Sequence, residues 1–138
     1  MEMDKTPENL DAGMTAEILQ SPEALASFIV RVLDSKKAKE IKLLHVEKQT
    51  IIADYFVICT GNSRTQIRAL ADEVEFKLSA YEITPDHIEG ADTGVWVLLD
   101  FGTVIVHIFN GESRDFYKLD KLYVDTTEQD ISSLITED

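Results

Sequence analysis

The most strongly patterned part of the chain is a pair of short apolar segments joined by a tight turn. Val95–Asp100 and Thr103–Phe109 are rich in β-branched and aromatic residues, which is typical of β-strands. Gly102 lies in the turn between them and is the residue type that best tolerates a positive φ. The pattern predicts a β-hairpin in which Trp96 pairs with His107.

Side chains alternate across a strand, so the two faces of the predicted hairpin can be separated. One face is aliphatic throughout and is expected to lie under helices: Val95, Val97, Leu99, Val104, Val106 and Ile108. The other face is also apolar, but it contains the single Trp of the chain and a His: Trp96, Leu98, Ile105, His107 and Phe109. Two interpretations are open for this second face: burial within the same chain, or contact with a partner protein.

The remaining chain alternates between helical and extended patterns. Ser21-Pro22-Glu23 has the cap residue, the first-turn Pro and the early acid that begin a helix, and apolar residues then recur at three- and four-residue spacing. Five further elements are predicted: strands at Ile41–Glu47 and Ala53–Thr60, a helix over Arg64–Tyr81, a short strand at His87–Glu89 and a helix over Glu112–Leu122. This order predicts an α/β domain with a mixed sheet of about five strands and helices packed on it.

Charge is distributed unevenly along the 138 residues, which carry a net charge of −13. Residues 1–20 hold −4 and residues 125–138 hold −5. Both segments are expected to be disordered acidic tails on either side of one domain at residues 21–124. A chain of this charge is not expected to bind nucleic acid through phosphates, which requires clustered Lys and Arg.

Composition also bounds the class of protein. The single Cys excludes a disulfide framework and fits a reducing compartment. No run of 18 or more apolar residues is present, so no membrane span is expected. The acidic N-terminal segment has no apolar stretch typical of a signal peptide, and a cytoplasmic protein is predicted.

Two patterns at one strand-to-helix turn have the appearance of catalytic motifs. Cys59 and Arg64 flank a polar loop, as in phosphatases, but the spacing is one residue short, and a buried Cys ending a strand is the simpler interpretation. Gly61 and Ser63 fit a nucleotidyltransferase turn, yet the chain lacks the two carboxylates one residue apart that hold the metal ions. The three His residues match no zinc motif. No catalytic residue, metal or cofactor is therefore expected, and a nucleotide-binding or nucleotidyltransferase-like enzyme is the alternative.

The stretch VWVLLDFGTVIVHIF, followed by ESRDFYKLDKLY and preceded by ADYFVICTGNSRTQ, resembles the ribosomal silencing factor family, also called the Iojap-like family. The resemblance covers roughly residues 22–123. It implies a fold similar to the nucleotidyltransferase core and a steric function without catalysis. Members of this family bind a large-subunit ribosomal protein at the subunit interface, block joining of the two subunits and repress translation.

The family pattern also suggests which residues form or shape the partner surface. The matching positions are Trp96, Asp100, His107, Ser113, Arg114 and Tyr117, and Leu98 and Phe109 join them because they share the face of Trp96. Tyr123 stands where relatives often have Trp. The resemblance thus implies a ribosomal protein partner with little direct nucleic acid contact, and the apolar face suggests a homodimer when the protein is free.

Overall fold

The computed structural model describes residues 11–117 and 127–136, with side chains for all of these except 115–117. Within these residues a six-stranded sheet is packed with helices, which confirms the predicted α/β class with one strand more than expected. The elements are α1 (Pro22–Ser35), β1 (Lys39–His45), β2 (Tyr55–Gly61), α2 (Arg64–Ser79), β3 (His87–Glu89), β4 (Trp96–Asp100), β5 (Val104–Asn110), α3 (Gly111–Tyr117) and β6 (Thr127–Glu128). No helix in this described part of the chain is long and apolar enough to cross a membrane.

The sheet has the strand order β3-β4-β5-β2-β1-β6. Its two central strands, β2 and β5, are parallel, and Tyr55 pairs with Val104 at one end of the ladder while Gly61 pairs with Asn110 at the other. The other neighbouring strands are antiparallel. All seven residues of β2 are buried, as expected from its nearly continuous apolar sequence.

Both long helices begin at the residues that the sequence indicates. The Ser21 hydroxyl accepts a hydrogen bond from the Ala24 backbone N–H at 3.3 Å, and Pro22 is the first residue of α1. Ser63 does the same at the start of α2, where its Oγ lies 3.1 Å from the Gln66 nitrogen. These caps satisfy backbone donors that a helix leaves free at its first turn.

The two faces of the hairpin are separated as predicted, except that Val95 precedes β4, is half-buried and does not belong to the main core. The aliphatic face belongs to the main core, which α1 and α2 complete: Val97, Leu99, Val104, Val106 and Ile108 are all fully buried there. Ile105 and Phe109 belong to a second apolar cluster on the opposite side of the sheet, with Trp96 and Leu98 packed against it.

The predicted hairpin pairing is wrong by two residues. Trp96 pairs with Phe109 rather than with His107. The turn is longer than expected because Phe101 N–H donates to Val104 O at 2.9 Å and the Asp100 carboxylate accepts from Gly102 N–H at 2.8 Å. An even shift leaves every side chain on its original face, so the predicted faces survive the error.

The C-terminal segment differs from the expected disordered tail at residues 127–136. Thr127–Glu128 forms β6 against the edge of β1, and the Asp34 carboxylate accepts from the Thr136 N–H at 2.9 Å and the Thr136 hydroxyl at 2.8 Å. Three aliphatic side chains between these contacts pack against the main core: Ile131, Leu134 and Ile135. Their spacing gives this acidic segment one apolar side, which explains its docking.

Part of the predicted N-terminal tail is also in contact with the domain. The Asp11 carboxylate accepts hydrogen bonds from the Tyr81 hydroxyl at 2.6 Å and from Lys77 Nζ at 3.2 Å. Leu19, in a short 3-10 turn before α1, is buried in the core. Residues 1–10, the remainder of this predicted tail, lie outside the described residues.

Candidate functional site

The candidate site is the second face of the hairpin. We call it the Trp96 face and define it as Trp96, Leu98, Ile105, His107 and Phe109. Its two halves differ in exposure: Trp96 and Leu98 on β4 are half-buried, whereas the three residues on β5 are at most 5% exposed. The part of this face that another molecule can reach therefore lies on β4.

Trp96 is held in one orientation by its neighbours on β5. Its ring stacks on Phe109 with centroids 4.8 Å apart, and its Nε1–H donates to His107 Nδ1 at 3.2 Å. The chain passes close behind Trp96 at Gly90, where an added Cβ would lie 1.9 Å from the Trp96 carbonyl oxygen. A partly exposed indole with this little freedom loses little conformational entropy when it is covered.

His107 is a buried, neutral member of this aromatic cluster rather than the surface or interface His that the sequence suggests. Because Nδ1 accepts the Trp96 hydrogen bond, the ring proton lies on Nε2, which is buried and has no hydrogen-bond partner among the residues that the structure describes. Burial lowers the pKa of His107 from 6.5 to about 3. Phe56 packs edge-on against the ring, with centroids 4.9 Å apart. His107 thus orients the Trp96 ring through the hydrogen bond to its Nε1–H.

Asp100 lies at the opposite end of β4 from Trp96, so the structure does not bring these two predicted site residues together. Its Oδ1 accepts a hydrogen bond from the backbone N–H of Gly102, a residue with a φ of +89°. This contact is an Asx-type turn that stabilises the hairpin. It explains why this motif has an Asp two residues before a Gly.

Ser113 and Arg114 are buried in hydrogen bonds with their own chain. Ser113 Oγ donates to Val95 O at 2.8 Å. Arg114 Nη1 donates to Glu40 O at 2.6 Å and to Thr60 Oγ1 at 2.9 Å. Both residues therefore fix the start of α3 against the sheet.

Tyr117 is the last described residue of α3, and its side chain lies outside the described residues, as does Tyr123.

Sequence reasoning missed three residues that support this arrangement. Asn110 Oδ1 accepts the Ser113 N–H at 2.7 Å, and an Asn immediately before a helical segment is a recognisable cap signal. Gly90, with a φ of +81°, allows the close approach to Trp96. Glu40 has a φ of +54° beside a register shift in β1, a backbone feature that no local sequence signal indicates.

In the turn that has the appearance of a catalytic motif, the backbone N–H groups donate to side chains of the same segment. Gln66 Oε1 accepts the Asn62 N–H, and Ser63 Oγ accepts the Gln66 N–H, so these amides do not point at a ligand. Cys59 is fully buried, and burial raises the pKa of its thiol to about 12. Among the described residues, no group of three or more His, Cys, Asp or Glu side chains is placed to hold a metal ion.

Comparison with known proteins agrees with the resemblance in the hairpin motif. Residues 19–138 match the family described as ribosomal silencing factor during starvation. A ribosomal silencing factor of Halalkalibacterium halodurans is 34% identical over 116 residues, covering 84% of this chain and 99% of the relative. One from Bacillus subtilis is 40% identical over 98 residues, covering 71% of this chain and 83% of the relative.

Solved structures give the same result for the fold. A crystal structure of a Chromobacterium violaceum protein is 33% identical and superposes with a TM-score of 0.70, covering 77% of this chain and 86% of that one. A Bacillus halodurans protein of known structure, also 33% identical, has a TM-score of 0.69 and covers 80% of this chain and 99% of its own. This chain belongs to the ribosomal silencing factor family.

Proposed function

We propose that this protein binds the large ribosomal subunit through a ribosomal protein and sterically blocks joining of the small subunit, which represses translation. The observation that carries the proposal is Trp96, a half-exposed indole held on Phe109 and His107 at the accessible side of an apolar sheet face. Large aromatic side chains of this kind dominate the energy of protein interfaces.

The name of one relative supports the large subunit as the target. A mouse protein named mitochondrial assembly of ribosomal large subunit protein 1 is 30% identical over 98 residues, which is 69% of this chain and 43% of the mouse protein. The net charge of −13 favours a basic ribosomal protein over ribosomal RNA, because an acidic surface is repelled by phosphates. We therefore propose little direct contact with nucleic acid.

The proposed mechanism needs only occupancy of a surface. A bound domain prevents the small subunit from reaching the same area, so neither a catalytic residue nor a cofactor takes part. The site of action is then the compartment that holds free ribosomal subunits, which for a bacterial-type protein is the cytoplasm.

Two experiments test the proposal directly. Light scattering of mixed subunits follows formation of whole ribosomes, and excess protein is expected to reduce it. Pelleting with isolated large subunits is expected to bring down the protein, and pelleting with small subunits is not. Normal subunit joining in the presence of folded protein contradicts the proposal.

The free protein is proposed to form a homodimer through the Trp96 face. Covering Trp96 and Leu98 against a second copy removes apolar surface from water, and the same surface is then unavailable to the ribosome. Analytical ultracentrifugation over a range of concentrations tests this, and a monomer at every concentration refutes it.

A further inference from the structure

The loop between β1 and β2, residues 46–54, displays two neighbouring aliphatic side chains to solvent. Ile51 is 102% exposed and Ile52 is 58% exposed. Single exposed apolar residues are common on protein surfaces, but two adjacent isoleucines at a loop tip leave a continuous apolar surface in water. Neither side chain contributes to the main core or to the second apolar cluster.

This loop is well fixed by hydrogen bonds. Val46 N–H donates to Asp54 O at 2.8 Å, Gln49 N–H donates to Val46 O at 2.9 Å, and Ile52 N–H donates to Thr50 Oγ1 at 3.2 Å. The residues at the base of the loop, Val46 and Ala53, are buried in the second cluster. The isoleucines are therefore presented on a preformed loop, which lowers the entropy lost on binding.

Two carboxylates flank the isoleucines within the loop sequence, Glu47 before them and Asp54 after them. Burial raises the pKa of Tyr55, the residue that follows the loop, and the carboxylates of Glu23, Glu47 and Asp54 raise that pKa further. The β4–β5 turn is joined to the loop because Asp54 N–H donates to Thr103 O at 2.8 Å.

Two further carboxylates lie next to that turn. Asp100 ends β4 immediately before the turn, and Asp86 Oδ2 lies 3.8 Å from the place that a Cβ would take on Gly102. Lys48 is the only base within the loop sequence, residues 46–54. We call Glu47 and Asp54, together with Asp86 and Asp100 next to the hydrogen-bonded turn, the acidic rim of this loop.

We infer that the 46–54 loop is a second docking element, which inserts Ile51 and Ile52 into an apolar recess with a cationic rim on a basic protein. This inference rests on the proposed function and adds a second contact to the same partner complex. The ribosome surface consists of polyanionic RNA and basic protein, and the acidic rim is repelled by RNA. Charge complementarity thus selects protein as the occupant.

The loop and Trp96 lie at opposite ends of the sheet. Trp96 pairs with Phe109 near the end of β5, whereas the loop leads into Tyr55, which pairs with Val104 at the start of β5. Five residues of extended chain separate these levels by about 17 Å. Two anchors at that distance on one rigid sheet fit within a standard protein interface, and the loss of either weakens the whole contact.

The first test replaces both isoleucines, Ile51→Ser with Ile52→Ser, and measures pelleting with large subunits. We expect the affinity to fall by about tenfold or more, while the denaturation midpoint stays within error because both side chains are exposed. The matched control is Phe76→Ser on α2, another exposed apolar residue at 69% exposure, which is expected to leave binding unchanged.

The outcomes separate this inference from the proposed function. Unchanged binding by the double variant overturns the docking loop and leaves the Trp96 proposal standing. Absence of binding by the unaltered chain overturns both. If the double variant loses self-association but keeps its large-subunit affinity, a second copy occupies the loop and the inference is overturned.

A charge reversal tests the cationic rim. Glu47→Lys is expected to weaken large-subunit binding severalfold at low salt and much less at high salt, because screening removes the repulsion. Asp72→Lys, an exposed reversal on α2, is the control and is expected to have no effect. Equal effects of the two reversals show that only net charge matters, and they refute a rim at this loop.

Discussion

Trp96 is packed within the molecule and still partly exposed, so its position is compatible with both interpretations of the sequence. Its ring packs on Phe109 within the molecule, yet the side chain stays half-exposed. The neighbouring Val97 is fully buried on the other side of the same strand. Adjacent residues of one strand therefore offer a matched pair for separating stability from binding.

Truncating Trp96 is expected to affect both properties. Trp96→Ala should destabilise the fold by about 2 kcal/mol, less than the 3–5 kcal/mol typical of a fully buried Trp, and weaken large-subunit binding by about 2 kcal/mol or more. Val97→Ala should cost a similar amount of stability, about 2 kcal/mol, because it leaves a cavity in the core, but it should bind normally. Chemical denaturation and pelleting measure the two quantities. Normal binding by Trp96→Ala removes Trp96 from the interface.

His107 makes stability depend on pH in a defined direction. Its pKa is lowered from 6.5 to about 3 in the folded protein, so below pH 6.5 the unfolded chain takes up a proton that the folded protein does not. Stability is therefore lost as the pH falls from about 6.5 towards 3, by up to about 1.4 kcal/mol per pH unit. His107→Gln lacks this proton uptake. Urea denaturation at pH 7 and pH 5 should show a smaller loss in the variant; equal losses contradict a neutral buried His107.

At the level of elements, α3 begins in a fixed position because of Arg114. This side chain lies across the ends of β1 and β2 and donates to Glu40 O and Thr60 Oγ1. The sequence motif identifies Arg114 as part of the site, whereas the structure gives it a positioning role. A buried Arg with partners in two strands cannot be removed without leaving those acceptors unpaired.

Arg114→Met should accordingly destabilise the protein by about 2 kcal/mol or more, since hydrogen bonds to a charged group are lost inside the fold. The control is Arg68→Met on the exposed side of α2, where the guanidinium donates a 3.5 Å hydrogen bond to Asp92 O. That change should stay within about 0.5 kcal/mol. A fully stable Arg114→Met that fails to bind large subunits would instead show that Arg114 acts at the interface.

The sequence predicts elements and faces well because both depend on local chemistry. Ser21 and Ser63 cap helices, and the alternation through β4 and β5 separates two faces whatever the register. The register itself depends on the geometry of the Asp100–Val104 turn, which required an additional side-chain hydrogen bond. The role of Arg114 depends on Glu40, 74 residues earlier in the chain, and no local pattern encodes such a contact.

At the scale of the whole molecule, the folded part of the chain extends beyond the domain predicted at residues 21–124. The family match reaches residue 138, and Ile131, Leu134 and Ile135 pack on the core. The acidic composition of residues 125–138 led to the prediction of a disordered tail. This segment has five acids, and its aliphatic residues are few but regularly spaced. Strand β6 covers the C-terminal end of the β1 edge, at Leu44 and His45, which protects that part of the strand from pairing with other chains.

Ending the chain at residue 124 should therefore lower stability, by about 1–3 kcal/mol for three partly buried aliphatic side chains. Removing residues 1–10 is the control and should have little effect. Thermal denaturation of the two shortened chains measures the difference. Both shortened chains should still bind large subunits under conditions in which they are folded. Equal stability of the two chains would show that residues 127–136 contribute nothing to the stability of the fold.

The central pairing of β2 with β5 also constrains how the protein is made. Tyr55 meets Val104, so the innermost ladder of the sheet joins residues 49 positions apart. During synthesis β2 is released well before its parallel neighbour, and the sheet stays incomplete until β5 has emerged. Pairing over such a sequence distance makes folding slower than for local contacts. The apolar strand β2 thus spends its first moments outside the ribosome with one side unpaired, which is the period in which this chain is most exposed to aggregation.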